Sequence, residues 1–179
     1  MKTKDMCVVA LMTALICVAA PFSIPIGPIP ISLATLAVYL AGGVLGWKKG
    51  LVAVALYLLI GAVGVPVFSG FSAGLPKLVG VTGGYLIGYL PCAAAIGFGV
   101  DRWGSELWVW PVAMVVGTLL CYAVGTAWFM VQTGTGLAGA MASCVIPFLP
   151  GDAAKIVVAS VLGWELRRKL GYSVATQAA

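Results

Sequence analysis

The sequence predicts an all-α integral membrane protein, built as one bundle of six transmembrane helices. Hydrophobic residues make up 62% of its 179 residues and charged residues only 8%, and the mean hydropathy is +1.12. A soluble domain carries about 25% charged residues, because water must solvate its surface. Disorder is ruled out as well, since disordered chains are poor in apolar residues. The third observation is a series of six apolar runs that approach the length of membrane helices.

The first predicted helix, residues 6–20, follows a short charged segment and shows no evident cleavage site. The other five are placed at residues 31–46, 51–65, 79–100, 107–131 and 152–166. Several runs are shorter than the ~20 residues that span a hydrocarbon core. Because the flanking segments are also apolar, we expect the helices to continue into them. Residues 1–179 are predicted to form a single domain.

The basic residues predict the orientation of the bundle. With the N-terminus inside, most of the Lys and Arg residues fall on the inner side, namely Lys2, Lys4, Lys48, Lys49, Arg102, Arg167, Arg168 and Lys169. The positive-inside rule then places both termini in the cytoplasm, which requires an even number of crossings. The net charge of +5 therefore reflects orientation, and we expect no nucleic-acid partner.

The absence of histidine excludes several kinds of chemistry. Ser-His-Asp and Cys-His catalysis, histidine metal sites and histidine proton switches all need this residue. The five cysteines lie far apart without a CxxC spacing, which favours packing roles over metal binding. No GxxxxGK[ST] loop is present to bind ATP. We therefore expect neither an enzyme nor a resident metal or cofactor.

The three outer connections, residues 21–30, 66–78 and 132–151, are rich in Gly, Pro and apolar residues and contain one charge, Lys77. Irregular backbone at membrane depth is tolerated where it is buried in protein or lines a cavity. We therefore expect these loops to fold over the outer mouth of the bundle and cover a pocket. The alternative is a set of short interfacial loops that bind no ligand.

Asp152 and Lys155 are the strongest candidates for a binding site. Ionisable residues at membrane depth are costly and mark functional sites by default. Asp152 follows Pro150-Gly151 at the start of the last helix, and Lys155 lies one turn later on the same face. Together they offer an acceptor and a donor, which suits an amide or a urea. The alternative is that Asp152 caps the helix while Lys155 extends to the interface.

The second outer loop supplies further candidates. Lys77 is placed either against a ligand carboxylate or in water, and hydroxyl and aromatic side chains surround it. A pocket with apolar walls and a few converging polar groups is the usual form of a small-molecule site. The remaining candidates are Ser72, Phe71 and Tyr85 near Lys77, Ser23 in the first loop, and Tyr122 in the fifth helix. Packing within the bundle is the alternative role for Tyr122.

Small residues recur every four positions in three helices, which allows close helix contact in lipid. The stripes Gly80-Gly84-Gly88 and Gly117-Cys121-Gly125 are predicted to pack inside the bundle. The pair Ala10 and Ala14 in the first helix either packs internally or docks another membrane protein.

Three segments closely resemble the BioY family, the biotin-specific S components of energy-coupling factor (ECF) transporters. They are FSIPIGPIPISLATL at 22–36, GVPVFSGFSAGLPKLVGVTGGYLIGY at 64–89 and FLPGDAAK at 148–155. The resemblance covers nearly the whole chain. It implies biotin uptake through the cytoplasmic membrane of a bacterium or archaeon, together with a transmembrane T protein and a pair of ABC ATPases. ATP is then used only by those partner ATPases.

The resemblance also implies roles for individual residues. In that family, the Asp and Lys of the last motif hold the polar ring of biotin, which carries over to Asp152 and Lys155. The loop between the third and fourth helices adds ligand contacts, here around Ser72, Lys77 and Tyr85. The alanine motif that docks on the T protein matches Ala10 and Ala14.

Three other functions stay open from the residues alone. The chain is alternatively an S component for another vitamin, a solitary transporter or facilitator that works without an ATPase, or a membrane scaffold that binds no solute. The ligand that copurifies with the protein distinguishes the first of these, and the need for an ATPase distinguishes the second.

Overall fold

The computed structural model describes residues 3–24 and 29–171. In chain order its elements are α1 (Thr3–Ala19), β1 (Ser23–Ile24), β2 (Ile31–Ser32), α2 (Ala34–Ala62), α3 (Leu75–Val79), α4 (Gly83–Trp103), α5 (Val109–Thr133), α6 (Leu137–Cys144), a 3-10 turn (Ile146–Phe148) and α7 (Leu149–Lys169). Lys2, the centre of the first outer loop (25–28) and the end of the predicted domain (172–179) lie outside the described residues.

Four helical stretches are apolar and long enough to cross a membrane: Ala34–Ala62, Gly83–Trp103, Val109–Thr133 and Leu137–Lys169. Large apolar side chains point away from the bundle, and Leu59, Leu119 and Val131 are 60% exposed or more. Such a surface is unfavourable in water and suits hydrocarbon, in which every backbone polar group must be satisfied within the protein. The chain is therefore a multi-pass membrane protein.

Helix α2 contains the second and third predicted helices, joined at Gly46. This residue has φ 79° and ψ 175°, which breaks the helix. A Cβ placed on Gly50 would lie 2.9 Å from the Cα of Gly42, although residues eight apart in a straight helix are separated by about 12 Å. The two halves of α2 therefore fold back on each other, and the predicted connection of several residues is reduced to a break at one glycine.

Helix α4 packs between α2 and α5. A Cβ on Gly88 of α4 would lie 3.1 Å from the carbonyl oxygen of Cys121 in α5, and one on Gly125 would lie 2.5 Å from the ring of Tyr85. The small residues thus allow the two helices to approach closely, as the sequence predicted for most of the two stripes. Gly80 is an exception, because it precedes α4.

The outer connections contain more regular structure than the sequence predicted. Residues 132–151, expected to be irregular, include α6 and a 3-10 turn, since the Ala-rich stretch 137–144 favours a helix despite its neighbouring glycines. Helix α7 begins at Leu149, three residues before the predicted start, because Pro150 fits the first turn of a helix. In the first connection, β1 and β2 pair antiparallel with Ser23 opposite Ser32.

A buried ion pair joins three helices at the end of the bundle where α7 finishes. Arg167 of α7 donates from Nη2 to Oδ1 of Asp101 in α4, at 2.7 Å, and from Nη1 to the carbonyl oxygen of Gly43 in α2, at 2.7 Å. The other carboxylate oxygen of Asp101 accepts the backbone N–H of Trp47, at 3.0 Å. The positive-inside rule predicts only the side of the membrane on which Arg167 lies and gives no sign of this pair.

Candidate ligand-binding site

Asp152 and Lys155 form a buried ion pair near the start of α7. The Nζ of Lys155 lies 3.0 Å from Oδ1 of Asp152, and the Asp152 residue is only 4% exposed. The helix has no side-chain hydrogen bond at its N-cap, Phe148, and Asp152 lies within the first turn. Its carboxylate therefore bonds to side chains in the interior instead of capping the helix.

Two neighbouring helices complete this polar cluster. The hydroxyl of Tyr122 in α5 donates to Oδ2 of Asp152 at 2.5 Å. Lys155 also donates to the carbonyl oxygen of Ser32 at 2.8 Å and to the hydroxyl of Thr35 at 2.9 Å. The Thr35 hydroxyl donates weakly to Oδ1 of Asp152 at 3.5 Å. Both charges thus have several hydrogen-bond partners, which offsets the cost of removing them from water.

The cluster lines a cavity of about 500 Å3, its open mouth included. The wall contains aromatic rings, two thiols and a few hydroxyls, and it is formed by Ile29, Pro30, Ser32, Thr35, Tyr39, Tyr85, Tyr89, Cys92, Thr118, Cys121, Tyr122, Phe148, Asp152 and Lys155. The predicted residues Tyr85, Tyr122, Asp152 and Lys155 therefore come together at one cavity.

One helical turn from the charged cluster lies a pair of hydroxyls. Tyr39 of α2 and Thr118 of α5 are bonded at 2.6 Å, and both are buried. Tyr39 follows Thr35 by four residues, and Thr118 precedes Tyr122 by four. Each helix therefore places one residue of the charged cluster and one residue of the hydroxyl pair along the cavity. Tyr85 is tied to the wall, since its hydroxyl donates to the carbonyl oxygen of Cys144 at 3.3 Å.

Lys77 lies at a second, adjoining cavity of about 320 Å3, its open mouth included, which shares Tyr85, Tyr89, Ile29 and Pro30 with the first. Its walls also include the hydroxyl side chains of Ser69 and Thr82. The Lys77 residue is half-buried. A cationic side chain therefore lines one of two adjoining cavities, and the Asp152–Lys155 pair lines the other.

Three predicted residues line neither of these two cavities. Phe71 is 63% exposed and contacts the ring of Phe22 edge-on, at 6.0 Å between centroids. The hydroxyl of Ser72 donates to the carbonyl oxygen of Ser69 at 2.8 Å. Ser23 pairs with Ser32 in the two-stranded sheet, and the loop that follows it lies outside the described residues.

Ala10 and Ala14 lie on the exposed face of α1. Their neighbours Leu11 and Val18 are 68% and 65% exposed. Within the described ranges, this face of α1 is not packed against the bundle, so it is available to lipid or to another membrane protein.

Thr35, Tyr39 and Thr118 line the cavity but were not predicted from the sequence. Hydroxyl residues are common in apolar helices, and their spacing from Asp152 in the chain gives no sign of contact. The one available signal was the i, i+4 spacing of two hydroxyl pairs on separate helices. In the described ranges, no group of three or more His, Cys, Asp or Glu side chains is arranged to hold a metal ion.

Comparison with known proteins identifies the family. The BioY family model matches residues 1–172. A probable biotin transporter BioY from Pyrococcus horikoshii is 37% identical, covering 93% of this chain and 98% of its own. The biotin transporter BioY from Thermotoga maritima is 39% identical, covering 88% of this chain and 92% of its own.

A solved structure has the same fold. It is a crystal structure of the S-component for biotin from an ECF-type ABC transporter, with a TM-score of 0.86, 31% identity and coverage of 93% of this chain and 92% of that one. The relatives are thus named as transporters and not as enzymes, and the family resemblance of the three motifs is confirmed. This chain belongs to the BioY family.

Proposed function

We propose that this chain is the substrate-binding S component of an ECF transporter and binds biotin for uptake across the cytoplasmic membrane. The observation that carries the proposal is the Asp152–Lys155 cluster at a largely apolar cavity. The ureido ring of biotin has two N–H donors and one carbonyl acceptor. A buried carboxylate and ammonium side by side can satisfy both kinds of group, and the apolar wall can cover the remaining ring.

The second cavity supports an orientation for the ligand. With the ureido ring at Asp152, the acyl chain extends past Tyr85 and Tyr89, which border both cavities. Its carboxylate then reaches Lys77. Tyr122 holds the Asp152 carboxylate in place through the bond at 2.5 Å. In this arrangement Phe71, Ser72 and Ser23 contribute to the surrounding loops and make no ligand contact that the described residues support.

The bundle crosses the membrane six times in this proposal. The crossings are α1, the two halves of α2, α4, α5 and α7, with both termini in the cytoplasm. Contacts at one end support this orientation, since Lys4 of α1 donates to the carbonyl oxygen of Leu170 at 3.4 Å, and Lys49 pairs with Asp5 at 2.8 Å. Lys4 of α1 and Lys49 of α2 thus lie at the same end of the bundle as the end of α7, which is the predicted inner end.

Energy is supplied by partner proteins in this proposal. The exposed Ala10–Ala14 face docks on a transmembrane T protein, and a pair of ABC ATPases hydrolyses ATP, so this chain needs no cofactor of its own. Replacing both alanines with Leu should abolish biotin uptake by the assembled transporter while leaving biotin binding to the isolated chain unchanged. Equal loss of binding and uptake would indicate misfolding and count against a docking role.

Isothermal titration of the purified chain tests the substrate. We expect biotin to bind, and other vitamins to give no heat at the same concentrations. The absence of heat with biotin, together with tight binding of a different vitamin, would reject biotin as the substrate. Uptake by proteoliposomes that contain this chain alone would instead support a solitary transporter.

A further inference from the structure

The hydroxyl pair one turn from Asp152 has a defined direction of hydrogen bonding. The Thr118 hydroxyl donates its single hydrogen to the carbonyl oxygen of Met114, at 2.7 Å, as threonine commonly does within a helix. It therefore has no hydrogen left for Tyr39. In the bond of 2.6 Å between the two side chains, Tyr39 must be the donor and Thr118 the acceptor.

The oxygen of Tyr39 is consequently restricted to accepting hydrogen bonds from the cavity. Its one hydrogen is committed to Thr118, and among the described residues no N–H or O–H group donates to it. Tyr39 lines the same cavity as Asp152 and lies on α2 about 6 Å, one helical turn, below Thr35. Because the residue is only 1% exposed, bulk water has little access to this oxygen.

The charged cluster leaves few donors for a ligand. The three N–H groups of Lys155 match three acceptors, the Ser32 carbonyl oxygen, the Thr35 hydroxyl and Oδ1 of Asp152. The Tyr122 hydrogen is committed to Oδ2 of Asp152. The charged cluster and the hydroxyl pair therefore present acceptors to the cavity, and a ligand carbonyl that approaches Lys155 has to displace one of the bonds that Lys155 makes.

We propose that Tyr39 determines specificity by accepting one ureido N–H of the ligand, while Asp152 accepts the other, and that Thr118 keeps Tyr39 in its accepting state. This inference rests on the proposed function. It assigns the two N–H groups to different helices, α2 and α7. A ligand with oxygen in place of either N–H would bring two acceptors together in a dry site, which costs more than the loss of one hydrogen bond.

Two cyclic carbamate analogues of biotin test the assignment, each with oxygen in place of one ureido N–H. Isothermal titration should show that the wild-type chain binds each analogue at least tenfold more weakly than biotin. In Tyr39→Phe, biotin should bind about tenfold more weakly, and one analogue should now bind as tightly as biotin does. The other analogue should still bind Tyr39→Phe more weakly than biotin does, and this difference from biotin, the penalty for the analogue, should disappear in Asp152→Asn.

Substitutions of Thr118 test the direction of the bond without removing Tyr39. Thr118→Val takes away the acceptor, so the Tyr39 hydrogen is free to point into the cavity. This variant should weaken biotin about tenfold and bind the Tyr39-facing carbamate as well as biotin or better. Thr118→Ser retains the acceptor and should therefore keep the weaker binding of both carbamate analogues relative to biotin that the wild type shows.

Unchanged penalties for both analogues in Tyr39→Phe and in Thr118→Val would overturn the assignment of Tyr39 while leaving biotin binding intact. An equal loss of affinity for all three ligands would also overturn it, because a role in packing alone makes no distinction between them. Failure of the wild-type chain to bind biotin would instead reject the proposed function, and the inference with it.

Discussion

Helix α7 carries two buried ion pairs, one near each end, and they differ in what surrounds them. At the end proposed to face outward, the outer end, Asp152 and Lys155 are three residues apart on the same helix and face a cavity. At the end proposed to face the cytoplasm, the inner end, Arg167 pairs with Asp101 of α4, and both also hold backbone groups of α2. One ion pair thus lies beside a cavity, and the other lies between packed helices.

We expect the outer pair to contribute mainly to ligand binding and the inner pair mainly to the stability of the fold. A cavity lets water or a ligand compensate a charge whose partner is removed, so the outer pair can be altered at modest cost to the fold. The inner pair lines neither of the two cavities described above, and next to it the indole of Trp110 fills the space above Gly43 and Gly163, where a Cβ would lie within 2.6 Å of the ring. Breaking that pair leaves a buried charge uncompensated.

The largest effect is expected at the inner pair. Arg167→Met removes the guanidinium and leaves Asp101 buried without its cation, which should lower the free energy of unfolding by about 3–5 kcal/mol. The thermal unfolding midpoint in detergent measures this. Biotin affinity of the folded fraction should be unchanged. Arg168→Met is the matched control, because Arg168 is exposed and stacks on Trp164. Equal midpoints for the two variants would contradict the distinction.

Asp152→Asn should have the opposite effect to Arg167→Met, with a large loss of biotin affinity and little loss of stability. A hydrogen bond to a charged group contributes about 1.5–3 kcal/mol, so biotin affinity measured by titration should fall about 10- to 100-fold. The unliganded protein should unfold at nearly the wild-type temperature. Glu165→Gln is the control on the same helix, since Glu165 is exposed and pairs only loosely with Lys169 at 3.7 Å. A large loss of stability with normal affinity would reverse the proposed roles of the two ends.

Gly46→Ala tests the geometry of the inner pair without removing a charge. The residue has φ 79°, and a Cβ there would lie 2.5 Å from both carboxylate oxygens of Asp101. We expect a loss of about 1–3 kcal/mol in the free energy of unfolding. Gly134→Ala is the control, because Gly134 has φ 68° with nothing within 4 Å of the added Cβ. If both variants lose the same stability, contact with Asp101 contributes nothing.

The smallest effect is expected at Lys77, the half-buried cation of the second cavity. Lys77→Met should weaken biotin binding about 3- to 10-fold, because a partly solvated ion pair contributes about 1 kcal/mol. Biotin methyl ester, which has no carboxylate charge, should bind the variant and the wild type equally. If the variant weakens both ligands to the same degree, Lys77 does not meet the carboxylate.

The sequence was most informative where the signal is local. Asp152 and Lys155 could be found because a charge pair in an apolar helix is rare and its spacing places both side chains on one face. The glycine stripe of α4 was predictable for the same reason, since its period matches a helix. The family motifs added the substrate, which spacing could not supply.

The features that could not be predicted depend on contacts between segments that are far apart in the chain. Thr35 reaches Asp152 across 117 positions and Tyr39 reaches Thr118 across 79, and no local pattern encodes such pairing. Arg167 is predicted only as a positive charge on the inner side, because the positive-inside rule counts Lys and Arg residues whether or not they are buried. Helix α6 was missed because the glycine content of 132–151 outweighed its Ala-rich centre.

The contacts around Gly46 have a consequence for how this sequence can change over evolutionary time. Asp101 fills the space that a side chain at position 46 would need, and the same carboxylate holds the N–H that the break exposes at Trp47. Arg167 balances that carboxylate. A single replacement at 46, 101 or 167 is therefore penalised while the other two residues are kept. We expect these three positions to be substituted together across relatives, whereas the exposed residues beside them are substituted independently of one another.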